Sequence, residues 1–162
     1  MNNRRSFIIG LKSLKLSAKE RIFLKEFKPW GVILFARNIK DIKQASNLTS
    51  SIRKIFNDRK YPILIDQEGG RVNRLKNLIS FDNLTSEFFG NKYINDLKEF
   101  KIYYKLFIDK TSYLLRSIGA NINTVPVLDL RIKGASNVIG DRSFSADPKI
   151  VSRIGDYCIE YY

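Results

Sequence analysis

The sequence contains no histidine and only one cysteine, Cys158. Any metal site or acid–base chemistry within these residues must therefore do without imidazole. One cysteine excludes an internal disulfide framework and fits a reducing compartment. Long apolar runs are also missing. The stretch after Arg4 and Arg5, Phe7 to Leu11, is interrupted by Gly10 and followed by Lys12. That is too short for the core of a secretory leader and far too short for a membrane span. No run of five or six like charges occurs, and no Pro-, Gly- or Ser-rich linker divides the chain.

What is there describes one ordinary domain. The chain has 162 residues, 44% hydrophobic and 28% charged, the balance of a soluble globular protein with a real core. Lys and Arg total 29 against 16 acids, a formal charge of +13. Such a surplus suits nucleic acid or an anionic membrane. The bases, however, are scattered from Arg4 to Arg153 with acids among them, which reads as a generic solvated surface. Neither nucleic acid nor a membrane is expected as a partner. A nucleic-acid binder would instead show a steep loss of affinity with salt.

Short apolar runs alternate with helical patterns. Phe7–Ile9 is the first run, and Ser17 with Glu20 forms a capping box at a helix start. Gly31 to Phe35, after Pro29, has the continuous apolar character of a strand buried on both faces. Asp41 and Gln44 open a second helix, with Ile42, Ala45, Leu48, Ile52 and Ile55 at helical spacing. Pro62 to Ile65 is a third strand. A long connection over about 71–96 follows, with a helical turn near Ser86. The clearest helix comes next, its stripe running Leu97, Phe100, Tyr104, Phe107, Thr111, Leu114, Ile118, with Gly119 as its left-handed stop. Asn121 to Val127 reads as strand four. Asp147–Pro148 caps a last helix, with Val151, Ile154 and Cys158 on one side. This alternation argues for parallel strands with right-handed crossovers, satisfied by an open doubly wound sheet or a (β/α)8 barrel. The barrel usually needs about 250 residues. The chain stops inside a helical pattern at Tyr161–Tyr162, which leads to the expectation that the sequence is unfinished.

The densest polar segment is Asp66-Gln-Glu-Gly-Gly-Arg-Val-Asn-Arg74. It lies just past a buried strand, where α/β folds bind ligands. Gly69 and Gly70 open backbone angles closed to other residues. Asp66 can accept two hydroxyl hydrogen bonds, and Arg71 and Arg74 offer donor forks. The competing reading is a tight turn with its charges paired for structure. Asp66 and Glu68 together also suggest an acid–base pair, although spacing alone lends that little support. A second polar loop, Val138 to Pro148, includes Gly140 and Arg142. Here the plainer alternative has Asp141 pairing with Arg142 and capping the following helix. Asn38 and Asp129, both at strand ends, are read as structural. Neither glycine cluster matches a dinucleotide or P-loop fingerprint.

Gly31 to Asn38, Asp66 to Arg74, Ala120 to Leu130 and Gly140 to Pro148 occur in the order seen in family 3 glycoside hydrolases. The chain resembles most the single-domain bacterial β-N-acetylhexosaminidases of cell-wall recycling, over nearly its whole length. That resemblance implies a (β/α)8 TIM-type barrel, here truncated to about its first four βα units, with residues 1–162 as a partial N-terminal catalytic domain. It implies cytoplasmic removal of terminal β-linked N-acetylglucosamine from peptidoglycan fragments, with retention. It assigns sugar binding to Asp66, Arg74 and Arg142. The family's aspartate nucleophile, its histidine acid/base and a substrate-contacting Lys-His pair would all follow Tyr162. No catalytic residue is therefore assigned in this chain, and no cofactor or metal is implied. A catalytically silent sugar-binding half domain is the alternative. A four-strand half barrel also leaves two strand edges unpaired. Expressed alone, the chain is expected to aggregate or dimerise through them, and a monodisperse monomer with a cooperative melt on gel filtration and calorimetry would contradict the truncation.

Overall fold

Four short strands lie side by side in chain order, all parallel: β1 (Arg5–Gly10), β2 (Pro29–Leu34), β3 (Ile63–Ile65) and β4 (Ile122–Asn123). The register pairs Ile9 with Val32, Val32 with Ile63, and Leu64 with Ile122. The computed structural model describes residues 4–134 and 136–162. They divide into two units. One takes the chain up to Asp66 with Arg74–Ser80 and Leu114–Thr124; the other takes Gln67–Asn73, Phe81–Tyr113 and Val125–Tyr162.

The first unit holds the sheet with α1 (Ala18–Phe27) and α2 (Ile42–Phe56). Both helices begin as the caps require. Ser17 Oγ accepts from the Glu20 amide at 3.2 Å while the Glu20 carboxylate accepts from the Ser17 and Lys12 amides at 2.8 and 2.9 Å. Burial tends to raise the Glu20 carboxyl, but those amide donors outweigh it and hold the group below its ordinary range. Asp41 caps α2 by accepting from the Gln44 amide at 2.7 Å. Ala45, Leu48 and Ile52 then face the core with Val32, Leu34, Ile63 and Ile65, whereas Ile42 at the helix start is exposed. The continuous apolar run of β2 fits this burial, although Trp30 is exposed.

Strand four is shorter than Asn121–Val127. Asn121 bonds Ile63 through both its amide and its side chain, and the Thr124 amide reaches the Ile65 carbonyl at 2.9 Å. There the ladder ends, because Pro126 has no N–H to continue it. The long helix α4 (Leu97–Ile118) closes where expected. Gly119 has φ +81°, and a Cβ there would lie 2.5 Å from Thr49 Oγ1. Thr49 and Arg53 of α2 bond the terminal carbonyls of Ile118 and Gly119 at 2.9 and 2.7 Å.

In the second unit, the turn expected near Ser86 is a full helix, α3 (Ser86–Asn95), capped by Thr85, whose Oγ1 accepts from the Phe88 amide at 3.0 Å. Gly90 in its middle hides it from a propensity reading. That glycine is steric: a Cβ at position 90 would sit 1.8 Å from the Phe144 carbonyl oxygen. Aromatic rings fill the interior, with Phe89 centred 4.8 Å from Tyr104 and 5.1 Å from Phe107. The last helix, α5 (Pro148–Tyr161), starts on Asp147, which accepts from the Lys149 amide at 2.8 Å, and buries Val151, Ile154 and Cys158.

Two outcomes follow from this packing. Gly90→Ala forces a methyl group against the Phe144 backbone carbonyl and should cost about 1–3 kcal/mol in urea titrations; an unchanged midpoint would contradict the contact. Burial pushes the Cys158 thiol up, only partly offset by its hydrogen bond with Tyr104. A raised folded-state value favours the folded protein at lower pH, and the advantage is lost as pH climbs through it. Native protein at pH 8 should therefore react with Ellman's reagent far more slowly than urea-unfolded protein, a difference read directly by absorbance.

Candidate functional site

The polar residues gather where β2, β3 and β4 end. After β2 the chain makes a short 3₁₀ turn, Ala36–Asn38. Asn38 is buried, donates to the carbonyls of Leu11 and Ser13 at 3.1 and 2.9 Å, and accepts from the Phe35 amide at 2.9 Å. Its role is structural, as the sequence suggests. Phe35 is half-buried and carries two cations, the Arg37 guanidinium 4.5 Å and the Arg74 guanidinium 5.3 Å from its ring centroid. Asp66 follows β3 directly. Thr124, just past β4, donates its hydroxyl to Asp66 Oδ1, and Arg74 Nη2 lies 3.6 Å from Asp66 Oδ2. Two of the three sequence-selected residues, Asp66 and Arg74, are thus brought together.

The third, Arg142, belongs to a different set of contacts within the second unit. The backbone turns sharply at Gly69 (φ +94°) and Gly70 (φ +54°). A Cβ at Gly69 would lie 2.2 Å from the Leu84 carbonyl oxygen. Beside this turn Glu68, its side chain only 7% exposed, receives a two-pronged ion pair from Arg142, with Nε and Nη2 each 2.8 Å from a carboxylate oxygen. Arg142 is presented by the 3₁₀ turn Gly140–Arg142, entered at Gly140 with φ +47°. Arg71 pairs with Asp141 at 3.2 Å and places Nη2 within 3.0 Å of the carbonyls of Asn137, Val138 and Ile139.

These contacts correct the plainer reading of the second loop. Asp141 pairs with Arg71 rather than Arg142, and the following helix is capped by Asp147. They also leave Glu68 engaged as an ion-pair acceptor, not as half of an acid–base pair with Asp66. Asp129 is exposed, and its carbonyl accepts from Ser143 Oγ at 2.6 Å. Sequence reasoning misses Glu68 as the partner of Arg142 and Thr124 as the donor to Asp66. Each pair is separated by many residues, and no local spacing links them. Among the described residues no group of three or more carboxylates or thiols is placed to hold a metal ion. No described helix is long and apolar enough to cross a membrane.

Residues 7–161 match the family model for the glycosyl hydrolase family 3 N terminal domain. A β-hexosaminidase of Xanthomonas euvesicatoria is 35% identical over 147 residues, which cover 90% of this chain and 42% of that protein. One from Hydrogenovibrio crunogenus is 32% identical, with 94% and 42% covered. The chain therefore spans less than half the length of these curated relatives. Among solved structures, NagZ from Neisseria gonorrhoeae in complex with N-trifluoroacetyl-D-glucosamine superposes with a TM-score of 0.86 at 26% identity, covering 98% of this chain and 46% of that one. A family 3 β-N-acetylglucosaminidase from Paenibacillus gives 0.80 at 28% identity, covering 96% and 29%. The parallel sheet thus corresponds to the opening part of that barrel, and the chain belongs to glycosyl hydrolase family 3 through its N-terminal domain.

Proposed function

We propose that this chain is part of a β-N-acetylhexosaminidase that releases terminal, non-reducing β-linked N-acetylglucosamine from peptidoglycan-derived fragments in the cytoplasm, with retention at the anomeric carbon. Residues 1–162 contribute to the catalytic barrel domain, and Asp66, Arg74 and Arg142 bind the sugar. The single observation that carries this reading is Asp66 at the end of β3, held by the Thr124 hydroxyl and faced by Arg74, in a chain of this family.

The chemistry suits a hexose. An ionised carboxylate offers about four lone-pair sites. Thr124 engages one on Oδ1 and Arg74 Nη2 stands 3.6 Å from Oδ2, which leaves acceptor capacity for two sugar hydroxyls. Glu68 takes the Nε–Nη2 edge of Arg142 and so fixes the plane of that guanidinium. Hydroxyl contacts of this kind orient the ring and favour the distorted geometry that glycosidic cleavage requires. Nucleophile and proton donor are not assigned to these residues. A second reading is a sugar-binding module without turnover.

Calorimetric titration of the chain with N-acetylglucosamine tests the assignment. Binding should be measurable at millimolar sugar, and Asp66→Ala should weaken it at least about tenfold, the loss of a charge-assisted contact. Undetectable binding to wild type, or an unchanged Asp66→Ala affinity, would remove Asp66 from the site.

A further inference from the structure

Helix α4 has a second apolar face, pointing away from the core. At 100° per residue Ile102, Leu106 and Tyr113 fall within about 40° of one another, opposite the buried Phe100, Tyr104 and Thr111. They are 51%, 60% and 59% exposed. A solvent-facing helix surface normally carries polar residues there. Lys98, Lys101 and Lys105 stand along one side of the stripe and Lys110 along the other, with Asp109 at its edge and Glu99 near Lys110.

The lysines are not merely adjacent in sequence. Lys101 and Lys105 lie 5.3 and 5.8 Å from the ring centroids of Tyr157 and Tyr161, and Lys110 lies 5.6 Å from that of Tyr113. Lys92 of α3 sits 5.4 Å from that of Tyr103. The two acids of this segment are both answered, Glu99 by Lys92 and Asp109 by Lys105 at 2.8 Å. The result is a row of aliphatic and aromatic side chains between ammonium groups on long flexible stems, with phenol rings beside them. Lysine stems and tyrosine rings are the side chains that bridge an apolar layer and a charged aqueous one.

We propose that this face of α4 docks on an anionic lipid surface. Ile102 and Leu106 enter the boundary between headgroups and acyl chains, and the flanking lysines meet lipid phosphates. A planar sheet of negative charge complements a single apolar row with bases on either side, and the chain's charge of +13 adds long-range attraction. Composition argues against a membrane partner because the bases are scattered along the sequence; the helix collects four of them around one stripe. The proposal is independent of sugar binding.

Co-sedimentation of the purified chain with vesicles tests it. Phosphatidylcholine mixed with phosphatidylglycerol should carry the protein down, phosphatidylcholine alone should not, and added salt should release it. Leu106→Asp and Ile102→Asp should each reduce binding at least about tenfold, with far-UV circular dichroism unchanged because both positions are exposed. Lys98→Ala and Lys110→Ala should each cost about fivefold. Lys54→Ala, on α2, should cost nothing. The proposal is overturned if wild type stays in the supernatant with anionic vesicles, or if the aspartate variants bind as well as wild type. Equal loss from Lys54→Ala would reduce the effect to net charge and overturn it too, as would self-association that needs Leu106 in the absence of lipid.

Discussion

Between Asp66 and Arg74 the backbone reverses in a space that admits only glycine at two consecutive positions. Gly69 and Gly70 both have positive φ, and a methyl group on either would collide, with the Leu84 carbonyl at 2.2 Å or the Thr85 side chain at 2.7 Å. The Gly70 amide is fixed to the Phe81 carbonyl at 2.9 Å, and the Val72 amide to that of Gly69 at 3.1 Å. This reversal is what allows one short segment to do two things. It sinks Glu68 far enough to meet Arg142, and it returns Arg74 to the carboxylate of Asp66.

The electrostatics follow from that geometry. A carboxylate buried to the extent of Glu68 is costly unless its oxygens are paired, and both are taken by one guanidinium edge. Removing one member of a buried pair costs about 3–5 kcal/mol because the other charge is stranded; with Arg142 a quarter exposed, the lower end applies. Arg71 adds a second fastening, donating to three consecutive carbonyls, of which that of Ile139 also accepts from the Arg142 amide at 2.9 Å. The loop around Arg142 is therefore tied to the turn after β3 by two arginines acting on different kinds of acceptor.

Local signals in the sequence led to the right elements wherever the physics is local. Ser17–Glu20, Asp41–Gln44, Asp147–Pro148 and Gly119 each satisfy or terminate a helix within a few residues, and all four do so in the structure. The errors have non-local causes. Gly90 lowers the helical signal of α3 because Phe144, more than fifty residues later, needs its space. Val125 and Val127 look like strand residues, but Pro126 between them cannot join the ladder. The inward stripe of α4 is obvious as a core pattern, and attention to it conceals Ile102, Leu106 and Tyr113 on the reverse side. In the two polar loops, Asp66, Arg74 and Arg142 stand out as charged residues near glycines. Their partners Thr124 and Glu68 do not, since a hydroxyl or carboxylate acquires its role from a contact made across more than fifty residues of chain.

The assignment of roles within this segment limits what each carboxylate contributes to glycoside chemistry. A retaining mechanism needs one group to attack the anomeric carbon and another to deliver a proton to the leaving oxygen. Glu68 has both oxygens bonded by Arg142 and only 7% of its side chain exposed, so it lacks the access for either task. Asp66 is more open, with the Thr124 hydroxyl on one oxygen and Arg74 Nη2 3.6 Å from the other. Glu68 and Asp141 are thus engaged by Arg142 and Arg71, while Asp66 keeps part of its surface open. Bond cleavage requires groups with a different environment, which none of Asp66, Glu68, Arg74 or Arg142 has.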